Sequence, residues 1–224
     1  MLDLLLPQRC VVCRVSGRQL CCRCLAAVPP VPPPLCERCG APTAWPVRRC
    51  RECAGRRLAF AQARAAAAYD DSVRALVGAW KERGLRRLAA LAADIVAERL
   101  ERPTAPLTFV ASDPGRRRTR GHHPAEALAR ALGERWELPV EPTLTRGAGA
   151  RQRGLSLAER RANVRGIFLA RPAPRRVILI DDVYTSGATA NAAASALRRA
   201  GARRVEVVTF ARAIRGYPRA HVPD

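Results

Sequence analysis

The sequence is poor in lysine and in aromatic residues. Lys81 is the only lysine, although Lys and Arg together number 40, and Phe, Trp and Tyr make up 4% of the 224 residues. Aromatic side chains provide the surfaces on which nucleic-acid bases stack. With so few of them, any contact with nucleic acid is expected to involve phosphates more than bases.

Long apolar runs are also missing. A membrane-spanning helix needs about 18 to 20 consecutive apolar residues, and no stretch of this sequence approaches that length. The opening residues MLDLLLPQRC contain a short apolar run, but they include Asp3 and have neither a basic segment nor a small-residue cleavage site. These absences predict a cytoplasmic protein with no membrane insertion.

Negative charge is scarce. Asp and Glu number 19 against 40 Lys and Arg, which gives a formal net charge of +21. Such an excess favours polyanionic partners, either nucleic acid or phosphorylated metabolites. The abundance of Ala and Arg throughout the chain has a second interpretation, because a coding bias toward G and C raises both. Charge alone leaves the two interpretations open.

Cysteine, in contrast, is plentiful and confined to one end. All nine cysteines lie within the first 53 residues, and eight of them form four C-x-x-C pairs. In a cytoplasmic protein this spacing is typical of metal binding rather than of disulfides. Each pair can turn two thiolates toward one tetrahedral Zn²⁺, so two four-cysteine sites are predicted. The predicted ligands are Cys10, Cys13, Cys21, Cys24, Cys36, Cys39, Cys50 and Cys53.

The segment VPPVPPPLC, residues 28–36, divides these pairs into two halves. It is too rich in proline for a helix or a central strand and is predicted to be a stiff connector. Sequential pairing follows, with the first two C-x-x-C pairs on one ion and the last two on the other, while a crossed arrangement stays open. Cys22 breaks the spacing and is interpreted as a bystander thiol. No open coordination position is implied, which favours a structural role for zinc.

The composition changes after the last cysteine, which predicts a small domain over residues 1–57 and a larger one over residues 58–224. Helices are predicted over YDDSVRALVGAWKERG, LRRLAALAADIVAERL, PAEALARALGERW and GATANAAASALRRAG, and strands over LTFVAS, VILI and RRVEVVTFA. Strands that alternate with helices predict an α/β fold whose mostly parallel sheet is covered on both faces. Such sheets bind ligands at the carboxyl ends of their strands.

The stretch VILIDDVYTSGAT, residues 177–189, places two acids at such a strand end. Asp181 and Asp182 follow VILI, and a small polar loop then leads into a helix whose free N–H groups and dipole favour an anion. A ribose 5-phosphate suits both parts, since its hydroxyls can donate to the carboxylates while its phosphate takes the loop amides and the hydroxyls of Thr185, Ser186 and Thr189. Acids that only cap the helix are the alternative. A nucleotide hydrolase is excluded, because it needs a G-x-x-x-x-G-K-[ST] loop that the sequence does not contain.

This stretch is similar to the thirteen-residue phosphoribosyl pyrophosphate (PRPP) signature of type I phosphoribosyltransferases. Together with the cysteine pairs and the segments WKERG, RGHH and QRGLSLAERRANVRGIF, it makes nearly the whole chain resemble the ComF/ComFC competence family. The resemblance implies a type I phosphoribosyltransferase-like domain preceded by a double zinc ribbon. It also implies that PRPP or another ribose-phosphate ligand binds with Mg²⁺. The implied PRPP-binding residues are Asp181, Asp182, Thr185, Ser186, Gly187, Ala188 and Thr189.

The same resemblance implies a role in handling single-stranded DNA during natural transformation, with other competence proteins as partners. Whether the domain transfers ribose 5-phosphate from PRPP to an acceptor in nucleotide metabolism, or only binds its ligand, stays open, because a fold alone does not decide function. In a transferase, cations would stabilise the leaving diphosphate. The candidate contacts for a diphosphate or a DNA backbone are Lys81, Arg116, Arg117, Arg118, Arg120, Arg151 and Arg153. The sequence identifies no catalytic base.

Three departures from the family pattern are visible. Tyr184 occupies a signature position where a small aliphatic residue is usual, and ASDPG replaces a Pro-Val-Pro-like element after the strand at Leu107. His122 and His123 replace an Asn-containing segment and are interpreted as loop residues rather than metal ligands, since no further His or Cys lies at ligand spacing.

Overall fold

The computed structural model describes residues 8–113, 115, 121–147 and 167–214. The helices among them are α1 (Cys22–Ala26), α2 (Asp71–Glu82), α3 (Arg87–Arg99), α4 (Pro124–Trp136) and α5 (Ala188–Arg199). The strands are β1 (Gln62–Ala68), β2 (Leu107–Phe109), β3 (Leu144–Arg146), β4 (Phe168–Ala170), β5 (Arg176–Tyr184) and β6 (Arg204–Arg212). Within these ranges, no helix combines the length and the apolar character needed to cross a bilayer.

Four strands form a parallel sheet in the order β1-β6-β5-β2. Arg176 lies opposite Arg204 at the start of the β5–β6 pair, and Tyr184 lies opposite Arg212 at its end. β3 and β4 pair with each other, antiparallel, in a separate two-stranded sheet. The predicted mostly parallel sheet is therefore confirmed. Strand β5 lies inside this sheet, between β6 and β2.

The two faces of the sheet carry separate apolar clusters. Ile178 and Ile180 of β5 pack with α2, α3 and α4, whereas Val177 and Leu179 pack with α5 on the other face. Side chains alternate between the faces of a strand, and a strand covered on both faces is apolar throughout, which explains the run VILI. Helices thus flank the sheet on both sides, as predicted.

Local signals set the helix boundaries where the sequence predicted them. Asp70 caps α2, accepting a hydrogen bond from the Val73 N–H at 2.8 Å. Gly201, with φ of +108° and the last residue of the predicted segment GATANAAASALRRAG, follows the end of α5. β5 is longer than predicted: it continues to Tyr184, so Asp181 and Asp182 lie inside the strand near its end rather than after it.

Strand β1, with the sequence QARAAAA, was not predicted. Alanine has the highest helix propensity, so nothing local marks this segment as a strand. It is an edge strand of the described sheet, and the cysteine-rich region covers it: the Ala63 N–H donates to the Arg38 carbonyl at 3.0 Å and the Ala68 N–H to the Pro29 carbonyl at 2.9 Å. Tertiary pairing therefore overrides propensity here.

The two halves of the cysteine-rich region pack against opposite faces of the sheet. Cys10 and Cys24 belong to the apolar cluster of α2, α3 and α4, and Cys36, Cys39 and Cys53 belong to that of α5. We call residues 8–27 the first ribbon and residues 35–57 the second ribbon. Each ribbon is thereby part of the core of the larger domain rather than a separate appendage.

Candidate functional site

The two adjacent acids lie at the carboxyl end of the central strand β5 and face different partners. An oxygen of the Asp182 carboxylate is 2.6 Å from Lys81 Nζ, and these side chains are only 13% and 24% exposed. The Asp182 N–H donates to the Asp181 carboxyl group at 2.9 Å. Helix α2 thus carries the only lysine of the chain directly to the acid pair.

The electrostatic setting separates the two carboxyl groups. Burial and the neighbouring charge of Asp182 raise the pKa of Asp181 to about 8, against an opposing effect of Lys81. The protonated form of Asp181 is therefore favoured, while Asp182 is ion-paired with Lys81. A ligand that brings positive charge or hydroxyl donors to this strand end would favour the ionised form of Asp181.

The loop after β5 leads into helix α5 through a glycine in the left-handed region. Gly187, with φ of +70°, precedes the 12-residue helix α5, and a Cβ on it would lie 2.2 Å from the Tyr184 hydroxyl oxygen. Only glycine fits this position. Thr185, Ser186 and Thr189 are exposed around it. Free N–H groups at a helix N-terminus together with hydroxyl groups can bind a phosphate.

The two histidines make contacts that position neighbouring backbone. Both ring nitrogens of His123 face backbone N–H groups: the Ser112 N–H, just beyond β2, lies 2.8 Å from Nε2, and the Glu126 N–H, in the first turn of α4, lies 3.2 Å from Nδ1. A neutral imidazole has one acceptor nitrogen, so only one of these N–H groups donates to the ring at a time. The His122 Nε2 lies 2.8 Å from the carbonyl oxygen of Trp80, next to Lys81. Neither histidine belongs to a candidate metal cluster within the described part of the chain.

The eight predicted zinc ligands form two clusters in the sequential arrangement. The sulfur atoms of each cluster all lie within 4.8 Å of one another. The clusters are Cys10, Cys13, Cys21 and Cys24 in the first ribbon, and Cys36, Cys39, Cys50 and Cys53 in the second. Cys22 is exposed and outside both.

The sulfur spacing fits a tetrahedral metal ion. Zn–S bonds of about 2.3 Å in a tetrahedron place sulfur atoms roughly 3.8 Å apart. The observed Sγ–Sγ distances are 3.6 Å for Cys13 and Cys21, 3.7 Å for Cys36 and Cys53, and 4.0 Å for Cys50 and Cys53. Two structural zinc sites are thus supported by geometry as well as by spacing.

Backbone N–H groups prepare one thiol of each cluster for metal binding. Burial alone would raise the pKa of Cys10, but hydrogen bonds from nearby backbone N–H groups outweigh it and lower that pKa to about 6. The same balance lowers the pKa of Cys36 to about 7. In the same clusters burial raises the pKa of Cys24, Cys39 and Cys53. Since zinc binds the thiolate, loading of each site displaces protons from these thiols.

The structure brings the acid pair, the loop and Lys81 together, but six of the predicted cation contacts lie outside the described residues. These are Arg116, Arg117, Arg118, Arg120, Arg151 and Arg153. Two contacts of the site were not predicted: Arg56 reaches the loop carbonyl of Ser186, and Arg212 packs against Tyr184. Both arginines lie far from the signature in sequence, and no local pattern distinguishes them in so arginine-rich a chain.

Comparison with known proteins assigns both parts of the chain. Residues 1–54 match the double zinc ribbon domain family, and residues 60–221 match the phosphoribosyl transferase domain family. The parallel sheet, its ligand end and the two cysteine clusters thus define a phosphoribosyltransferase-fold protein with an N-terminal double zinc ribbon. The chain belongs to the phosphoribosyl transferase domain family and, with its zinc ribbons, is a ComF-type member.

The chain is similar to Competence protein F of Haemophilus influenzae, with 27% identity over 231 residues, 92% of this chain and 97% of the relative. Among solved structures, glutamine PRPP amidotransferase from B. subtilis aligns with 55% of this chain and 25% of its own length, at 22% identity and a TM-score of 0.38. Purine phosphoribosyltransferase from Pyrococcus horikoshii aligns with 54% of this chain and 80% of its own length, at 17% identity and a TM-score of 0.33.

Proposed function

We propose that this protein binds PRPP, or a related ribose 5-phosphate, together with Mg²⁺ at the carboxyl end of β5. One observation carries the proposal: two carboxyl groups adjoin the loop of residues 185–187 at the end of a central parallel strand. We call this loop, which leads into α5, the phosphate loop. A ligand with vicinal hydroxyls next to a phosphate matches both groups at once.

In this proposal each part of the site has one role. The N–H groups at the start of α5 and the hydroxyls of Thr185, Ser186 and Thr189 bind the 5-phosphate, and Gly187 provides the left-handed turn into the helix. Asp181 and Asp182 accept hydrogen bonds from the ribose hydroxyls. Lys81 forms an ion pair with Asp182 through its 2.6 Å contact. Carboxylate oxygens are suitable ligands for Mg²⁺, which when bound would neutralise charge on the diphosphate.

Transfer of ribose 5-phosphate to an acceptor is the catalytic form of the same proposal. A nucleophile would form a bond to C1 of PRPP as the bond to pyrophosphate breaks. Titration of the protein with PRPP by calorimetry, with and without Mg²⁺, tests the binding step. A pyrophosphate-release assay with purine and pyrimidine bases then separates an enzyme from a binding protein. If PRPP does not bind either with or without Mg²⁺, the proposal is wrong.

A second candidate function, the handling of single-stranded DNA, is favoured by a groove that the second ribbon lines in part. The groove has a volume of about 620 Å³ and lies where the second ribbon meets the amino ends of β1 and β6. Its lining includes four arginines and one acid: Arg38, Arg48, Arg49, Arg204 and Glu37. We call it the arginine groove.

The charges of this groove are poorly balanced. Burial and then the nearby charge of Arg49 lower the pKa of Arg38, which shows that a cation here is held at a cost. Arg204 is paired with Glu206 at 2.5 Å, so Glu206 offsets part of the charge. A phosphate backbone laid in the groove would relieve the remaining repulsion. Other competence proteins as partners and a cytoplasmic location stay predictions.

Filter binding of single-stranded DNA over a salt series tests this second function. The double variant Arg48→Gln/Arg49→Gln should bind more weakly, and its salt dependence should be shallower by roughly 0.7 per lost phosphate contact. Arg9→Gln/Arg18→Gln, which removes two exposed arginines from the first ribbon, is the matched control. Equal losses in both variants would show that binding follows net charge and not this groove.

A further inference from the structure

The second ribbon contacts the phosphate loop directly, at both the loop and the helix that follows it. Arg56, three residues after the last zinc-binding cysteine, donates through Nη1 to the carbonyl oxygen of Ser186 at 2.6 Å. The Ala59 N–H donates to the side-chain carbonyl of Asn191, in the first turn of α5, at 2.7 Å. The backbone that would bind a phosphate is thus fixed by Arg56, at the end of the second ribbon, and by Ala59, just after it.

A buried arginine makes the second connection. Arg212, at the end of β6, is 1% exposed. Its Nη1 donates to the carbonyl oxygen of the zinc ligand Cys39 at 2.6 Å, and its Nη2 pairs with the carboxylate of Glu52 at 2.7 Å. A guanidinium held this far from solvent requires such partners, and all of these belong to the second ribbon.

The same guanidinium supports the aromatic ring beneath the loop. The central carbon of the Arg212 guanidinium lies 4.6 Å from the centre of the Tyr184 ring, and Phe60 meets that ring edge-on at 6.3 Å. The Tyr184 hydroxyl occupies the space that a side chain at Gly187 would need. Contacts therefore run without interruption from Cys39 through Arg212 and Tyr184 to Gly187.

This chain of contacts explains the unusual residue of the signature. A small aliphatic side chain at position 184 would leave a gap between the loop and Arg212, whereas the tyrosine ring fills it. The first ribbon is placed differently: Cys10 and Cys24 pack with α2 and α3 on the other face of the sheet, and the Val28 carbonyl beside it accepts from Arg99 of α3. Of the two zinc sites, the second is thus the one that these contacts connect to the phosphate loop.

We propose that the second zinc site holds the phosphate loop in its ligand-binding conformation, with Arg56 and Arg212 as positioning residues for PRPP. The inference rests on the proposed function for its ligand, but the connection between ribbon and loop does not depend on that ligand. Without metal in the second site, Cys39 and Glu52 would no longer be held in place as partners of Arg212. Arg212 would then lose its contact with Tyr184, and the phosphate loop would lose the support of the Tyr184 ring. Loss of metal from the first site would leave these contacts in place.

The sharpest test removes one hydrogen bond at the protein surface. Arg56→Ala should retain two zinc ions per chain by elemental analysis and should bind Mg²⁺-PRPP about tenfold more weakly by calorimetry. Arg57→Ala, which removes the adjacent and exposed arginine, is the matched control and should bind like the wild type. Arg56→Lys should recover part of the loss, because a lysine can still donate to the Ser186 carbonyl.

A second measurement needs no ligand. Hydrogen exchange of the backbone N–H groups of residues 185–191 should be faster in Arg56→Ala than in Arg57→Ala. If the wild type binds no PRPP while this difference is observed, the proposed ligand is wrong and the connection stands. If the wild type binds PRPP and Arg56→Ala matches it in both affinity and exchange, the connection itself is overturned.

Zinc-site variants compare the two ribbons directly. Cys50→Ser and Cys21→Ser should each lose one zinc ion per chain, but only Cys50→Ser should show accelerated exchange at residues 185–191 and at least tenfold weaker PRPP binding. Equal effects of the two variants would contradict the inference. Arg56→Ala keeps the test decisive if either cysteine variant fails to fold.

Discussion

Asp181 and Asp182 are neighbours in the chain, yet they differ in their chemistry. Asp182 forms an ion pair with Lys81, whereas burial and the charge of Asp182 raise the pKa of Asp181 to about 8. The sequence predicted the pair because both acids belong to one contiguous motif. It could not decide the role of Lys81, since that contact forms only when α2 packs beside the end of β5.

Replacing both acids tests their assignment to the ribose. Asp181→Asn/Asp182→Asn should reduce PRPP affinity at least a hundredfold, because two carboxylate acceptors are lost and the charge of Lys81 is left unbalanced. Calorimetry measures the affinity, and circular dichroism checks that the fold persists. Affinity like that of the wild type in a folded variant would contradict the assignment.

The raised pKa of Asp181 also predicts a pH-dependent stability. Between its ordinary value of 3.8 and about 8, the folded protein keeps a proton that the unfolded chain has released. The contribution of Asp181 to the free energy of unfolding therefore falls as pH rises through this window, by up to about 1.4 kcal/mol per pH unit.

Asp181→Asn removes this contribution. In urea unfolding, the variant should gain stability relative to the wild type between pH 5 and pH 7.5. A difference between Asp181→Asn and wild type that stays constant with pH would contradict the prediction.

At the scale of whole elements, the sequence predicted those whose signals are local and failed on those that depend on partners. Helices α2, α4 and α5 have caps and apolar spacing that can be read along the chain. Strand β1 is a run of alanines that becomes a strand only because β6 lies on one side of it and the second ribbon on the other. The short strands β3 and β4, for the same reason, have no signal of their own.

The start of α4 gives a prediction at this scale. The ring of His123 accepts one backbone N–H, either that of Ser112 or that of Glu126 at the start of the helix, so His123→Ala should lower the free energy of unfolding by about 1 to 2 kcal/mol. Urea unfolding measures the loss. His123→Asn, which restores a capping acceptor, should recover about half of it, and a fully stable alanine variant would show that the cap contributes nothing.

At the scale of the whole molecule, the ribbons and the sheet share their apolar clusters. Since each ribbon packs on one face, removal of metal should weaken the entire chain rather than the N-terminal part alone. The protein purified without chelator should contain two zinc ions per chain by elemental analysis. After treatment with a strong chelator, calorimetry should show one unfolding transition at a markedly lower temperature.

Two outcomes would contradict this view. A stoichiometry of one zinc ion would mean that half of the cysteine pairs are idle. An unfolding transition of the α/β domain that keeps its temperature after chelation would show that the ribbons are independent of it. The sequence could predict the zinc sites because their ligands are closely spaced, but it could not predict where the ribbons pack.

The covered edge of β1 has a consequence for aggregation of the chain during synthesis. The cysteine-rich region leaves the ribosome before β1, so the carbonyl groups that accept from the Ala63 and Ala68 N–H groups already exist when this edge strand is made. Bare edges of this kind recruit further strands and lead to aggregation. A fragment truncated to residues 58–224 should therefore accumulate in inclusion bodies, even though it retains the whole sheet.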